Sequence, residues 1–553
     1  MATHIGGQIE AVTEQRSLFG PDYGLLLLLG VISLAIHGWL LTHTGITARD
    51  SLGFSRYALN LENPAASAMP PDPSRTIVDV IKSEEHPPGF PAAVLAVSRI
   101  VRVATDLPTA QAMLLSAQLA NVIAAVLLVI PTYLLGRMLF GRRVGFAAAL
   151  LIQVLPVFAH VTSDGLSEGV YLLGATTAMM FGVRAVRRPG VGWFLLTGLS
   201  VGATYLVRPE GLFVAASVGL MIVILGAMRK WPRDAALARL TALAVGIGMV
   251  AGPYVMVIGR MTNKTTPLQM IAPSEGPKGL IWKGQPTSQN RTSPSTSLLA
   301  TWWNESEDSG SSRLLWAIKA VVTETLKTGF YVPAILGFAG LIAFRRRAMS
   351  DPGLAVMALL AGLNAAVLVA MAMSKGYVSE RHTVLISLIL CLFAAAVADP
   401  LFGQLSRLPV VGRFWAGRYA APGLMLAIVA SALPSTLKPL HQHRVGHKHA
   451  GEFLATKIQP GDTVIDPFSW AEWFAGRTLH VIPADPPAQP GSSRWVVLEH
   501  ITHDNPHARL PRLQAALQVA GDRANPPKVA YQWPENVPFA EAKVIVYQQV
   551  VKP

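Results

Sequence analysis

Residues 23–43, YGLLLLLGVISLAIHGWLLTH, contain no Asp, Glu, Lys or Arg. A helix crossing the hydrocarbon of a bilayer needs about 20 mostly apolar residues, so this run is long enough. It follows a polar start and has no small-residue cleavage pattern. It therefore reads as a retained anchor, not a removed signal peptide. Working outward, further apolar runs lie near 112–135, 144–160, 168–186, 192–207, 210–228, 238–258, 330–344, 354–373, 382–400 and 419–436. The sequence thus predicts an α-helical polytopic membrane protein with about eleven transmembrane helices. The composition agrees. Of 553 residues, 51% are hydrophobic and only 14% charged, whereas a soluble domain carries about a quarter charged residues. This excludes a soluble enzyme, a disordered chain and a fibrous one. The one cysteine, Cys391, lies in an apolar run, so no intrachain disulfide can form.

The net charge is +14. In a membrane protein such an excess belongs first to cytoplasmic loops, and no nucleic-acid partner is expected. Sixteen Lys and Arg residues fall in the loops after the second, fourth, sixth, eighth and tenth runs, among them Arg137, Arg184, Arg229, Arg345, Arg407, Arg413 and Arg418. The short loops after the third, fifth and ninth runs hold only Arg208, Lys375 and Arg381. The positive-inside rule then sets a cytoplasmic tail (1–22), a membrane domain (23–436), external loops at 44–111 and 259–329, and an external domain at 437–553. Residues 88–104 are apolar enough to suggest a further span, but crossing there would reverse the parity. Arg99 and Arg102 also interrupt the run. It reads as an interfacial or re-entrant helix.

The second external loop is rich in Ser, Thr and Pro at 284–297. Its Trp302 and Trp303 suit an interfacial aromatic belt, and an amphipathic helix is expected near 313–327. From about 437, long apolar runs stop. Strand-like runs at 463–465, 479–482, 495–498 and 543–547, with helical patterns at 446–458 and 510–520, predict a small α/β domain. His441, His443, His447 and His449 resemble a metal cluster, but Arg444 and Lys448 are interleaved with them. Neighbouring cations oppose metal binding, so no metal residue is assigned. There is no repeat of 20–50 residues and no glycine loop of Walker or dinucleotide type.

Charged residues at membrane edges are functional candidates by default. Four groups fall on the external side. Asp50 follows the first run and shares a helical face with Phe54, Tyr57 and Leu61. It can take a proton from an acceptor hydroxyl, or simply cap a helix. His86, in HPPGFP (86–91), can donate to a phosphate oxygen or sit in an exposed turn. Asp164 and Glu168 share a helix face in SDGLSE (163–168). They can hold a metal, orient a base or bind sugar hydroxyls, or favour the positive end of a helix. Arg208 and Arg381, each beside an acid (Glu210 and Glu380), suit a lipid phosphate. Snorkelling to headgroups explains either arginine alone, but explains the two together poorly.

The segment DSLGFSRYA (50–58) resembles the first-loop acidic motif of the GT-C glycosyltransferases. More narrowly, it is similar to the bacterial branch related to protein O-mannosyltransferases and aminoarabinose transferases. HPPGFP (86–91), SDGLSE (163–168), LVRPEG (206–211) and ERH (380–382) resemble further motifs of that branch, in the same order. The likeness covers about residues 20–400. Ser51 stands where many relatives have a second acid, and Phe54 where tyrosine is common. The resemblance implies sugar transfer from a polyprenyl-phosphate-linked donor to a lipid, glycan or protein acceptor on the outer face of a bacterial inner membrane. It implies Asp50, Asp164 and Glu168 as catalytic residues, and Arg56, Tyr57, His86, Arg208, Glu210 and Arg381 as substrate-binding residues. No cofactor is fixed by it, and a divalent metal is left open.

Two other classes are open to these residues. A secondary transporter would place its charges near the midplane on broken helices, but here they gather at one face. A non-catalytic receptor or assembly protein would depend on the C-terminal domain and not on Asp50. Trp302-Trp303-Asn304 superficially resembles the tryptophan motif of oligosaccharide transferases, but lies in the wrong loop and lacks the aspartate.

Overall fold

The computed structural model describes residues 22–263, 313–405, 420–482, 489–499 and 512–551. The tail 1–21, the 284–297 stretch, Trp302, Trp303, Arg407, Arg413 and Arg418 lie outside the described residues. The first apolar run becomes α1 (Tyr23–His43). Its Leu27, Val31 and Leu34 are more than half exposed, whereas Leu29, Ile36 and Leu40 are buried. An exposed apolar stripe of this kind is suited to lipid, not water.

Three helices follow: α2 (Asp50–Glu62), α3 (Ile77–Ser83) and α4 (Gly89–Ala104). Thr76 and Asp79 start α3 as a reciprocal capping box. The 88–104 run is helical as expected. Phe90, Val94 and Val101 are buried, while Ile100 and Val103 are exposed on its outer side.

The bundle continues with α5 (Thr109–Phe140), α6 (Arg142–Val154), α7 (Pro156–Val161), α8 (Glu168–Arg187), α9 (Val191–Val207), α10 (Leu212–Ala227) and α11 (Arg233–Ile258). The expected span at 144–160 is two helices, because Pro156 brings no N–H and opens a new helix instead of continuing α6. Then come α12 (Arg313–Thr328), α13 (Val332–Ala343), α14 (Arg345–Ser350), α15 (Pro352–Lys375), α16 (Val384–Leu405) and α17 (Ala420–Thr436). The expected helix near 313–327 is α12. The expected span at 330–344 is the 12-residue α13, bent by 116° from α12.

Small residues let these helices approach closely. A Cβ on Gly198 of α9 would lie 2.3 Å from the Leu243 carbonyl oxygen of α11, and one on Gly337 of α13 would lie 2.5 Å from that of Leu390 on α16. Among the described residues, six helices are long and apolar enough to cross a membrane, and the bent pair adds a seventh if it is one crossing. Val191–Val207, Val384–Ala398 and Ala421–Thr436 are apolar but shorter. Every expected run holds a helix, yet helix length alone does not establish eleven crossings.

The C-terminal part contains α18 (Val445–Lys457), α19 (Trp470–Phe474), α20 (Leu513–Ala520) and a four-stranded sheet. Its strands are β1 (Thr463–Ile465), β2 (Ser493–Glu499), β3 (Lys528–Trp533) and β4 (Val544–Val550), in the order β1-β2-β4-β3. β1 is parallel to β2, and the other pairs are antiparallel. The period of two in β2 sends Trp495 and Val497 toward α18, and Val496 and Leu498 toward α20. No strand forms at 479–482. The carbonyls of Thr478 and His480 instead accept bonds from Arg56 and Asn60 of α2, at 2.8 and 3.0 Å. β3 has no counterpart among the expected strands. One apolar cluster joins α2, α4 and α5 (Leu52, Phe54, Phe90, Met113) to Phe468, Trp470 and Trp473 of the C-terminal part.

Candidate active site

Four loops meet at one end of the bundle. Asp50 opens α2 and its side chain is 61% exposed. Glu168 opens α8, where the helix N-terminus favours an acid, and it is fully buried. Arg208 ends α9, because Pro209 cannot continue that helix. Arg381 lies in a 3-10 turn, Glu380–His382, which the Thr328 hydroxyl ties to α12 through the Glu380 carbonyl at 3.1 Å.

Glu168 is the hub. Its Oε1 accepts from Arg208 Nη1 at 2.8 Å and from Arg381 Nε at 2.9 Å. Arg381 Nη2 also lies 2.9 Å from that oxygen. Arg381 Nη1 then reaches Asp50 Oδ2 at 2.9 Å. Arg208 Nη2 is 3.4 Å from Glu210 Oε1. Burial alone would lower the pKa of both guanidinium groups. For Arg208, Glu210 and Glu168 more than reverse this, and for Arg381, Glu168 and Asp50 do so. Both therefore lie above the ordinary arginine value and stay charged. The Arg381 side chain is 38% exposed, and among the described residues it donates hydrogen bonds to Glu168 and to Asp50.

Asp164 holds the neighbouring turn. Its Oδ1 accepts from the backbone N–H groups of Ala48 at 2.9 Å and Gly165 at 2.7 Å, and its Oδ2 faces His441 Nε2 at 2.9 Å. Both oxygens are engaged, so its geometry is that of a support and not of a base. Asn121 of α5 donates to the carbonyls of Asp164 (2.6 Å) and Leu166. From beneath, Ser163 meets His37 Nδ1 at 2.7 Å. His37 Nε2 meets Gln153 Oε1 at 3.0 Å. A carbonyl oxygen only accepts, so Nε2 carries a hydrogen and donates to Gln153.

The structure thus brings Asp50, Glu168, Arg208, Glu210 and Arg381 into one network, with Asp164 beside it. His86 packs its ring against Phe54, one turn beyond Asp50, at 5.0 Å. Arg56 and Tyr57 go elsewhere. Arg56 bonds the Thr478 carbonyl and lies over Trp473 at 5.9 Å. Tyr57 is buried within the field of Glu84 and Tyr254. Three of the four clustered histidines diverge: His441 to Asp164, His447 to Glu499 at 3.0 Å, and His449 onto the Trp533 ring at 6.0 Å. Among the described residues, no group of three or more His, Cys, Asp or Glu side chains is arranged to hold a metal. The supporting roles of Asn121, His37 and His441 were not read from the sequence. Polar side chains in apolar runs were the available signal for the first two.

Residues 86–257 match the family model of dolichyl-phosphate-mannose-protein mannosyltransferases. No curated protein is a significant match. Among solved structures, ArnT from Cupriavidus metallidurans bound to undecaprenyl phosphate is 14% identical with a TM-score of 0.52, over 96% of this chain and 99% of that one. The apo oligosaccharyltransferase of Archaeoglobus fulgidus is 12% identical with a TM-score of 0.50, over 88% and 70%. The AglB oligosaccharyltransferase from the same organism, in complex with an inhibitory peptide and a dolichol-phosphate, is 13% identical with a TM-score of 0.48, and the chain covers 63% of its length. The family match is confined to residues 86–257, and the likeness to the ArnT structure is one of fold.

Proposed function

We propose that this chain is a GT-C membrane glycosyltransferase that moves a sugar from a polyprenyl-phosphate carrier to an acceptor hydroxyl at the external face. One observation carries the reading. A single guanidinium, Arg381, bridges an exposed acid, Asp50, and a buried one, Glu168, which also grips Arg208. This arrangement sets a base beside two cations at the mouth of an apolar bundle.

The chemistry balances on these groups. The acceptor oxygen forms a bond to the anomeric carbon, and the bond from that carbon to the carrier phosphate breaks. The electron pair leaves with the phosphate, and the acceptor proton passes to the Asp50 carboxylate. Arg381 and Arg208 stabilise the charge that builds on the leaving phosphate. Glu168 fixes both guanidinium groups in advance, and Asp164 fixes the chain just before Asp50. The ArnT structure was solved with undecaprenyl phosphate, a carrier of the class proposed here. The sugar and the acceptor class are identified by incubating purified protein with radiolabelled polyprenyl-phosphate sugars and a membrane extract. Label moving to lipid, glycan or protein supports transfer. Label remaining on the carrier with every donor sinks the proposal.

A further inference from the structure

We propose that His441 is a positioning residue for Asp50, so that the segment joining the membrane bundle to the C-terminal sheet completes the active site. This rests on Asp50 being the base. The link runs through Asp164. Its Oδ2 faces His441 Nε2 at 2.9 Å, and its Oδ1 takes the Ala48 N–H at 2.9 Å. Ala48 is two residues before Asp50, and its carbonyl accepts the Ser51 N–H at 3.0 Å, in the first turn of α2. One residue therefore receives the pull of Asp164 and starts the helix that carries the base.

Asp164 is 4% exposed. A buried carboxylate oxygen with no donor is costly, so the second oxygen needs His441 as much as the first needs Ala48. The histidine is held in place from outside its own segment. Trp39 Nε1 donates to the Leu437 carbonyl at 3.0 Å, and Gln442 Nε2 to the His43 carbonyl at 2.8 Å. His160 Nε2 lies 3.1 Å from the Thr436 carbonyl. These contacts bind residues 436–442 to the tip of α1 and to α7. The His441 backbone has φ 50° and ψ 25°, the left-handed region that a residue with a Cβ enters reluctantly. Such a conformation persists only where the surroundings enforce it.

The strain supplies a test that separates function from folding. Glycine adopts positive φ freely, so His441→Gly removes the imidazole and relieves the backbone together. The full-length variant should fold, because the relieved backbone offsets part of the cost of leaving the Asp164 oxygen without its donor. Its amide exchange at the peptide spanning Ala48 should quicken. Misplacing a catalytic group by about 1 Å costs about 10²-fold, so kcat should fall by about 10- to 100-fold. KM for the labelled donor should stay near wild type, since Arg208, Arg381 and Glu168 keep their contacts. His441→Gln, whose amide N–H can serve Asp164, should recover part of kcat. Unchanged kcat in His441→Gly, a loss confined to KM, or equal impairment of the two variants would overturn the proposal. Asp50→Asn, assayed in parallel, distinguishes the failures. An active Asp50→Asn removes the base reading itself, whereas an inactive one beside a fully active His441→Gly removes only the role of His441.

Discussion

Asp50 opens a helix, and two roles for it give opposite outcomes for one substitution. As a mere acid in the first turn of α2, it only complements the helix dipole, and Asp50→Asn should cost about 0.3–1 kcal/mol of stability. As a general base, the carboxylate is essential, and the same change should lower transfer by about 10² to 10⁴. A transfer assay and a melting curve on the same preparation separate these roles. Near wild-type turnover would end the base assignment. Arg208→Lys tests the other half of the site. Lysine keeps the charge but has one point of contact where arginine reaches both Glu168 and Glu210. It should raise KM for the donor severalfold and shift the melting point little. An unchanged KM would remove Arg208 from the phosphate site. The five network residues Asp50, Glu168, Arg208, Glu210 and Arg381 were legible because charges stand out in a chain only 14% charged. His441 was not, because its partner lies 277 positions away and the surrounding histidines suggested a metal instead.

The turn between α7 and α8 decides where α2 can sit. A Cβ on Gly165 would meet the Ser51 Cβ at 2.8 Å and the Ala117 Cβ at 3.3 Å, and neither atom is the end of a flexible side chain. Gly165→Ala should therefore push α2 off the turn, cost about 1–3 kcal/mol and lower kcat. Gly53, on the exposed side of α2, has nothing within 4 Å of its Cβ position. Gly53→Ala should raise the melting point slightly, since alanine is favoured over glycine in a helix interior by about 1 kcal/mol. Equal melting points for the two variants would refute the close approach at Gly165. Helices were legible from apolar run length, yet their breaks were less so. Pro156 was visible and its effect on the 144–160 run was underrated. In the sheet, β3 is an edge strand between prolines, and a bulge between Val529 and Tyr531 breaks the period of two that would have marked it. The 479–482 run misled for a tertiary reason. Its alternation is real, but α2 side chains take the carbonyls that a ladder would need.

For the whole molecule, the charge asymmetry of the loops leads us to propose an external active site and C-terminal domain. In intact cells, a cysteine at Ser492 should react with an impermeant thiol reagent and one at Ser350, in α14, should not. Labelling at Ser350 alone would reverse the orientation and put Asp50 on the cytoplasmic side. The fold class was legible because lipid imposes a simple rule on composition. The mutual placement of the bundle and the sheet was not, since it depends on contacts between distant parts of the chain. The shared apolar cluster has a consequence for biosynthesis. Trp473 donates its indole N–H to the Ala110 carbonyl, 363 positions earlier, and packs with Phe468 and Trp470 against α2, α4 and α5. Ribosomes add about 5–20 residues per second, so the early helices wait roughly 20 to 70 seconds for their aromatic cover. Throughout that interval the nascent chain presents an apolar surface outside the bilayer. A chain terminated just before Val445 should therefore be degraded faster in cells than the full-length protein, which a pulse-chase checks, and equal lifetimes would show that the aromatic cover is dispensable.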